Sequence, residues 1–184
     1  MSIEAMADEE PWYVQLRSQW KPERVKLLMI AESAPADVGN TSVRKCFYNA
    51  DRLGPDNLFR GVVAAMYGAS KDDLRRSGKG PWLRRLRDDG FFLIDLAPFP
   101  VNSLTPSERR RVLHEAVPAC ITNAGKLQPL GIVIVKADLY SLLAAPLTAA
   151  GLPILHDDPI VFPLGNTRAE FVAGFNLARS RLPV

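Results

Sequence analysis

Four short apolar runs punctuate the chain: VKLLMI over residues 25–30, FFLIDL over 91–96, GIVIV over 131–135 and LPIL over 152–155. Segments with helical spacing separate them. Near-continuous apolar strands, as opposed to alternating ones, are what a parallel sheet needs when helices cover both of its faces. The expected fold class is therefore α/β, with three layers, α/β/α, around a four-stranded, mostly parallel central sheet. A chain of 184 residues fits one such domain, expected over residues 11–184 behind a flexible N-terminus at 1–10.

Capping signals place the helices. A first helix is expected over Pro11–Trp20, with Trp12, Leu16 and Trp20 on one face and Pro22 ending it. A second starts at Asp56 or Asn57, with Leu58, Val62 and Met66 along one side. Gly80-Pro81 opens a third, which Gly90 ends. Thr105-Pro-Ser-Glu108 carries a capping box and opens a helix to about Asn123, kinked near Pro118. An Ala- and Leu-rich helix follows residues 131–135. Thr167-Arg-Ala-Glu170 repeats the capping-box pattern before a last helix that turns Phe171, Phe175 and Ala178 inward.

Several function classes drop out. No run approaches about 18 apolar residues, so no membrane contact is expected. The acidic start MSIEAMADEE has neither a basic nor an apolar signal segment, which points to a cytoplasmic location. Cys46 and Cys120 are too few for a disulfide framework and have no metal-binding spacing. With only His114 and His156 beside them, no metal is expected. The net charge is +3, and residues 71–90 alone hold seven Lys/Arg against four Asp. Such a cluster suits either a phosphate backbone or a solvated helix face.

The strand ends carry the functional signal, because ligands of open parallel sheets bind outside the carboxyl ends of the strands. Glu32 follows the first run, Asp95 sits inside the second, Lys136 and Asp138 follow the third, and His156-Asp157-Asp158 follow the fourth. Asp138 reads as a helix cap, and His156 with its two Asp as an exposed turn. Glu32 and Asp95 are harder to assign to turns. Asp95 has apolar neighbours on both sides, so it is either buried and hydrogen-bonded or faces a cleft. Two carboxylates near one another push their pKa values apart, as acid–base chemistry requires. The long polar loop over Ala31–Pro55 contains Phe47-Tyr48, two rings that either anchor the loop or offer a surface on which a planar base stacks.

The succession AESAPAD after the first strand, CFYN in the next loop, LIDLAPFPVN at the second strand and FPLGN before the last helix resembles the uracil-DNA glycosylase superfamily. The resemblance covers Val25 to the C-terminus. It implies that Glu32 orients water, that Phe47 stacks on a flipped-out base, and that Asp95 reads the base edge where the family commonly has Asn. Ser33, Tyr48, Asn102, Phe162, Pro163 and Gly165 would complete the base-binding site, and Asn166 and Arg168 would meet the DNA backbone. Phe162 stands where the family's His would stabilise the leaving base, and His156 lies at the other end of the same loop. With two cysteines, no iron–sulphur cluster is implied and no cofactor is expected. The expected partner is DNA, single- or double-stranded, and the expected state is a monomer. The alternative is a non-catalytic module binding nucleic acid or a small planar ligand on the same fold.

Overall fold

The computed structural model describes residues 10–36, 45–51 and 56–184. Residues 1–9 of the expected flexible N-terminus lie outside this set, as do 37–44 and 52–55 of the long loop. Strand β1, Leu27–Ala31, is buried at every position. It runs between β2, Phe91–Asp95, and β3, Gly131–Ile134, with both pairings parallel and the order β2-β1-β3. A central parallel strand has both faces covered, which is why LLMIA carries no polar position.

The helices are α1, Trp12–Gln19; α2, Asn57–Tyr67; α3, Lys71–Ser77; α4, Gly80–Asp88; α5, Pro106–Leu127; α6, Ala137–Ala149; and α7, Arg168–Ser180. α2 packs on α7 and α5 on α6, while α6 and α7 both reach β3. This mixed α/β arrangement is compatible with three layers. Phe171, Phe175 and Ala178 of α7 are buried as their spacing implies. The Thr105–Glu108 capping box forms in full, and α5 continues past Pro118 to Leu127. On α1 the buried residue is Tyr13, whereas Trp12, Leu16 and Trp20 are only partly covered. No helix among the described residues is long and apolar enough to cross a membrane.

Among the described residues the sheet has three strands, not four. The expected fourth strand touches β3 only through a single parallel bridge, Ile154 to Ile132. The Ile132 N–H donates to the Pro153 carbonyl, and the Leu155 N–H donates to the Ile132 carbonyl. A side chain then takes over the ladder. The Ile134 N–H donates to His156 Nε2 at 3.0 Å, so an imidazole stands where the next backbone carbonyl would be. His156 is thus buried and structural, not an exposed turn. Leu155 also presses close on Gly131, where an added Cβ would lie 2.4 Å from its Cδ1.

The Thr167 capping box does not form either. The Thr167 hydroxyl donates to the Phe162 carbonyl at 2.7 Å and accepts from the Leu164 N–H at 3.1 Å, closing the 162–167 loop on itself. Pro163 of that loop rests on Gly61 of α2, where an added Cβ would come within 2.7 Å of the Pro163 Cβ. A proline ring cannot fold away. Gly61→Val is therefore expected to cost about 1–3 kcal/mol by overpacking and to shift the loop. A urea midpoint equal to that of the parent protein would refute this account of the contact.

Candidate functional site

The carboxyl ends of the three strands open into a cavity of about 490 Å³. The backbone ladder continues past the strands here: the Leu96 and Ala97 N–H groups donate to the Ala31 and Glu32 carbonyls, both at 2.8 Å. That pairing fixes the β1 and β2 exits side by side. The cavity wall is shared by Glu32 and Ser33 from the first exit, Asp95 at the end of β2, Asn102 from the following loop, Phe47 and Tyr48 from the 45–51 segment, and Phe162 from the loop before α7. Seven of the residues singled out in the sequence thus meet around one hollow.

Four others do not line it. Pro163 is buried against α2, and Gly165 and Asn166 are exposed outside the cavity. Arg168 starts α7, and its Nε is buried without a hydrogen-bond partner among the described residues. Residues 71–90 also stay away from the cavity wall. Arg75, Arg76 and Arg87 form ion pairs with aspartates of that same segment. Asp138 caps nothing: Lys136 occupies the N-cap position of α6, and Asp138 is exposed in the first turn.

The rings differ from the expectation of an exposed stacking surface. Phe47 is only 9 % exposed, edge-on to both Tyr48 and Phe59 with centroids 5.2 Å away in each case. It is part of the core and shows the cavity only its remaining edge. Tyr48 is held more firmly. Its hydroxyl donates to the Leu93 carbonyl at 3.0 Å and accepts from the Leu93 N–H at 2.6 Å. Burial holds its phenol well above the ordinary pKa, so it stays neutral and its bonding capacity is used within the protein. Phe162 is the less buried ring.

The two carboxylates are each paired with cations. Arg17 of α1 donates from Nη2 to Asp95 Oδ2 at 2.8 Å, and the Asp95 side chain is 10 % exposed. Asp95 Oδ1 has no hydrogen-bond partner among the described residues. Glu32 is held on both sides, with Oε1 accepting from the Arg109 guanidinium and Oε2 from the Lys136 ammonium. Arg17, Arg109 and Lys136 all line the cavity. The spacing of the sequence gives no signal for Arg17 or Arg109, because their partners lie 78 and 77 positions away. Lys136 was visible as a strand-end residue, but its partner was not.

Asp95 titrates abnormally because it is buried, not because Glu32 is near. Desolvation raises its pKa from 3.8 to about 6, outweighing the pull of Arg17, and Glu32 is not among the causes. The folded state therefore binds this proton more tightly than the unfolded chain does. Stability from this group is full below pH 3.8, falls as pH rises, and is lost above pH 6. The difference amounts to about 3 kcal/mol. His156 acts in the opposite sense. Burial lowers its pKa below 6.5, so its contribution is present above pH 6.5 and falls as the pH drops below that. Its Nε2 accepts a backbone N–H, so the neutral ring carries its proton on Nδ1, which donates to the Asp158 carbonyl. The stability of Asp95→Asn relative to the parent protein should thus climb by about 2 kcal/mol between pH 4 and pH 6.5 in urea titrations. A flat difference would remove the desolvated carboxylate from this account.

The fold and this cavity define an α/β protein with a strand-end site of paired carboxylates and cations. No protein-family model, no curated protein and no solved structure matches the chain.

Proposed function

We propose that the chain is a divergent uracil-DNA glycosylase-like protein, a hydrolase of the N-glycosidic bond of a flipped-out base in DNA, built on a three-layer α/β/α fold. The supporting observation is the convergence of Glu32, Phe47, Asp95 and Phe162, from four separate segments, on one cavity of about 490 Å³. That volume suits a nucleoside-sized ligand.

A base inside a duplex must leave the stack to reach such a site, at a cost of a few kcal/mol. The exposed edge of Phe47 and the ring of Phe162 wall the base, and Asp95 meets its edge. Glu32 orients a water toward C1′, with Arg109 and Lys136 holding its carboxylate in place. The C1′–N bond breaks with its electron pair moving to the base, and the water oxygen bonds to C1′. The water's proton, taken up at Glu32, passes to the departing base. Positive charge on the sugar is stabilised by the carboxylates. In this reading Asn166, exposed outside the cavity, and Arg168 at the start of α7 hold the strand's phosphates. Duplexes carrying uracil, hypoxanthine, xanthine or mismatches, incubated with the protein, are expected to yield abasic sites with at least one of them. A folded protein that leaves all of them intact defeats the hydrolase reading.

Two observations favour the second reading, a non-catalytic binding module. Both Glu32 oxygens are engaged by cations, and His156 is committed to the backbone. Salt-dependent binding of single strands that survives Glu32→Ala, without turnover, is the signature of that reading.

A further inference from the structure

We propose that a second cavity, between the N-terminal ends of α5 and α6, is a binding site for a phosphomonoester. The inference does not depend on the glycosylase-like reading, which assigns DNA phosphates to Asn166 and Arg168; neither of these lines the second cavity.

The argument starts from where positive charge is left unmatched. In residues 71–90 the cations are largely spent: Arg75, Arg76 and Arg87 pair with aspartates of the same segment, and Lys79 is buried against Asp56. The start of α5 is different. Three arginines follow one another there. Arg109 binds Glu32, and Arg111 faces Glu115 at 4.0 Å. Arg110 has neither a hydrogen bond nor an ion pair among the described residues, and the same holds for His114. Both are exposed, both line the second cavity, and their four-residue spacing puts them on one face of the helix.

This cavity measures about 520 Å³ and shares a wall with the first, since Glu32, Arg109 and Lys136 line both. Lys136 also stands at the N-cap of α6, where no side chain caps the helix. The capping box of Thr105 and Glu108 closes α5, so the two helix starts differ. An anion beside Lys136 would satisfy the uncapped end as well as the side-chain cations. The floor is apolar, with Leu139 buried and Leu104, Leu113 and Leu142 half-buried. Such a floor lowers the local dielectric and strengthens charge pairing.

Chemistry decides for a phosphomonoester over a carboxylate or a phosphodiester. Arg109 and Arg110 come from α5 and Lys136 from the start of α6, so the ligand must meet cations from two elements. A carboxylate or a diester has one charge and two free oxygens. A monoester carries nearly two charges and three free oxygens, which suit forked guanidinium donors. Two carboxylates also line the cavity: Glu32, and the exposed Asp138, which lies 4.0 Å from Lys136. A dianion competes with them for the shared cations better than a monoanion does. The volume exceeds that of a phosphate alone and leaves room for the organic body it is attached to.

The test reads the site directly, because the chain has only two histidines and the other, His156, is buried. Inorganic phosphate, added to the full chain at fixed pH and ionic strength, should shift the His114 ring C–H proton resonances saturably and leave those of His156 in place. Arg110→Gln should weaken that saturation by at least about tenfold, the loss of one charge-assisted hydrogen bond. The control Arg75→Gln/Arg76→Gln, which removes as much or more charge elsewhere, should not. Two pairs of probes separate the sources of the phosphate: uridine 5′-monophosphate against uridine, and a 5′-phosphorylated single strand against the same strand with a 5′-hydroxyl. A gain in affinity with the nucleotide assigns a free nucleotide, and a gain only with the strand assigns a strand end; either sustains the site. His114 unmoved by phosphate, unchanged saturation in Arg110→Gln, equal weakening in the control, or no gain from the phosphate in either pair overturns the proposal.

Discussion

Lys79→Met is expected to destabilise the protein by about 3–5 kcal/mol, as removal of one partner from a buried ion pair does. Lys79 lies in the most basic stretch of the chain, yet its side chain is only 6 % exposed. Its ammonium donates to the Cys46 carbonyl at 2.8 Å and to Asp56 Oδ2 at 3.0 Å, and it sits 4.5 Å from the centroid of the Phe59 ring. Asp56 meanwhile caps α2 by accepting the Phe59 N–H at Oδ1, 3.0 Å away. One cation thus ties together the N-terminus of α2, the residue before Phe47 and the ring against which Phe47 packs. Without it, a carboxylate that is 14 % exposed keeps its charge with no counterion, and the Cys46 carbonyl loses one of its two donors, keeping the Asn49 N–H. In a protein of this size the melting temperature should drop by on the order of 10 °C. Changing Asp56→Leu in the same molecule should recover part of the loss, since a buried pair replaced by apolar groups leaves no stranded charge. A Lys79→Met protein within about 1 kcal/mol of the parent would contradict the role of this pin.

On the hydrolase reading proposed above, Glu32→Ala should lower base release by about 10²- to 10⁴-fold, the usual contribution of a positioned general base. The same change should raise affinity for DNA. Glu32 is 13 % exposed and pairs with two cavity cations, Arg109 and Lys136. Freed from it, both become available to phosphates, and the dependence of binding on salt steepens. Turnover and affinity then move in opposite directions, which general misfolding does not produce. Single-turnover assays and salt titrations on one variant read both. If cleavage persists within about tenfold of the parent, Glu32 orients no water.

Much of the architecture was legible because it depends on local chemistry. Apolar runs and capping residues located β1–β3, α2, α4, α5 and α7. α3 was missed although Ser70 and Asp73 form a capping box there, because the segment read as a charge cluster. The fourth strand failed on a particular substitution of partner, an imidazole for a carbonyl at Ile134. Nothing in the spacing of residues 152–156 announces that exchange. The Thr167 box failed because the same hydroxyl closes a loop instead.

For the site, position along the strands was enough to single out Glu32 and Asp95, since a carboxylate beside apolar residues must be explained wherever it occurs. The sequence also determined that Phe47 and Tyr48 would travel together. Only the tertiary structure decided what each group is free to do. Arg17, Arg109 and Lys136 reach their carboxylates from elements distant in the chain, and the backbone of Leu93 consumes the Tyr48 hydroxyl. The physical reason is range. Strand and helix propensity act over a few neighbouring residues, whereas burial and ion pairing depend on which surfaces the completed sheet brings into contact.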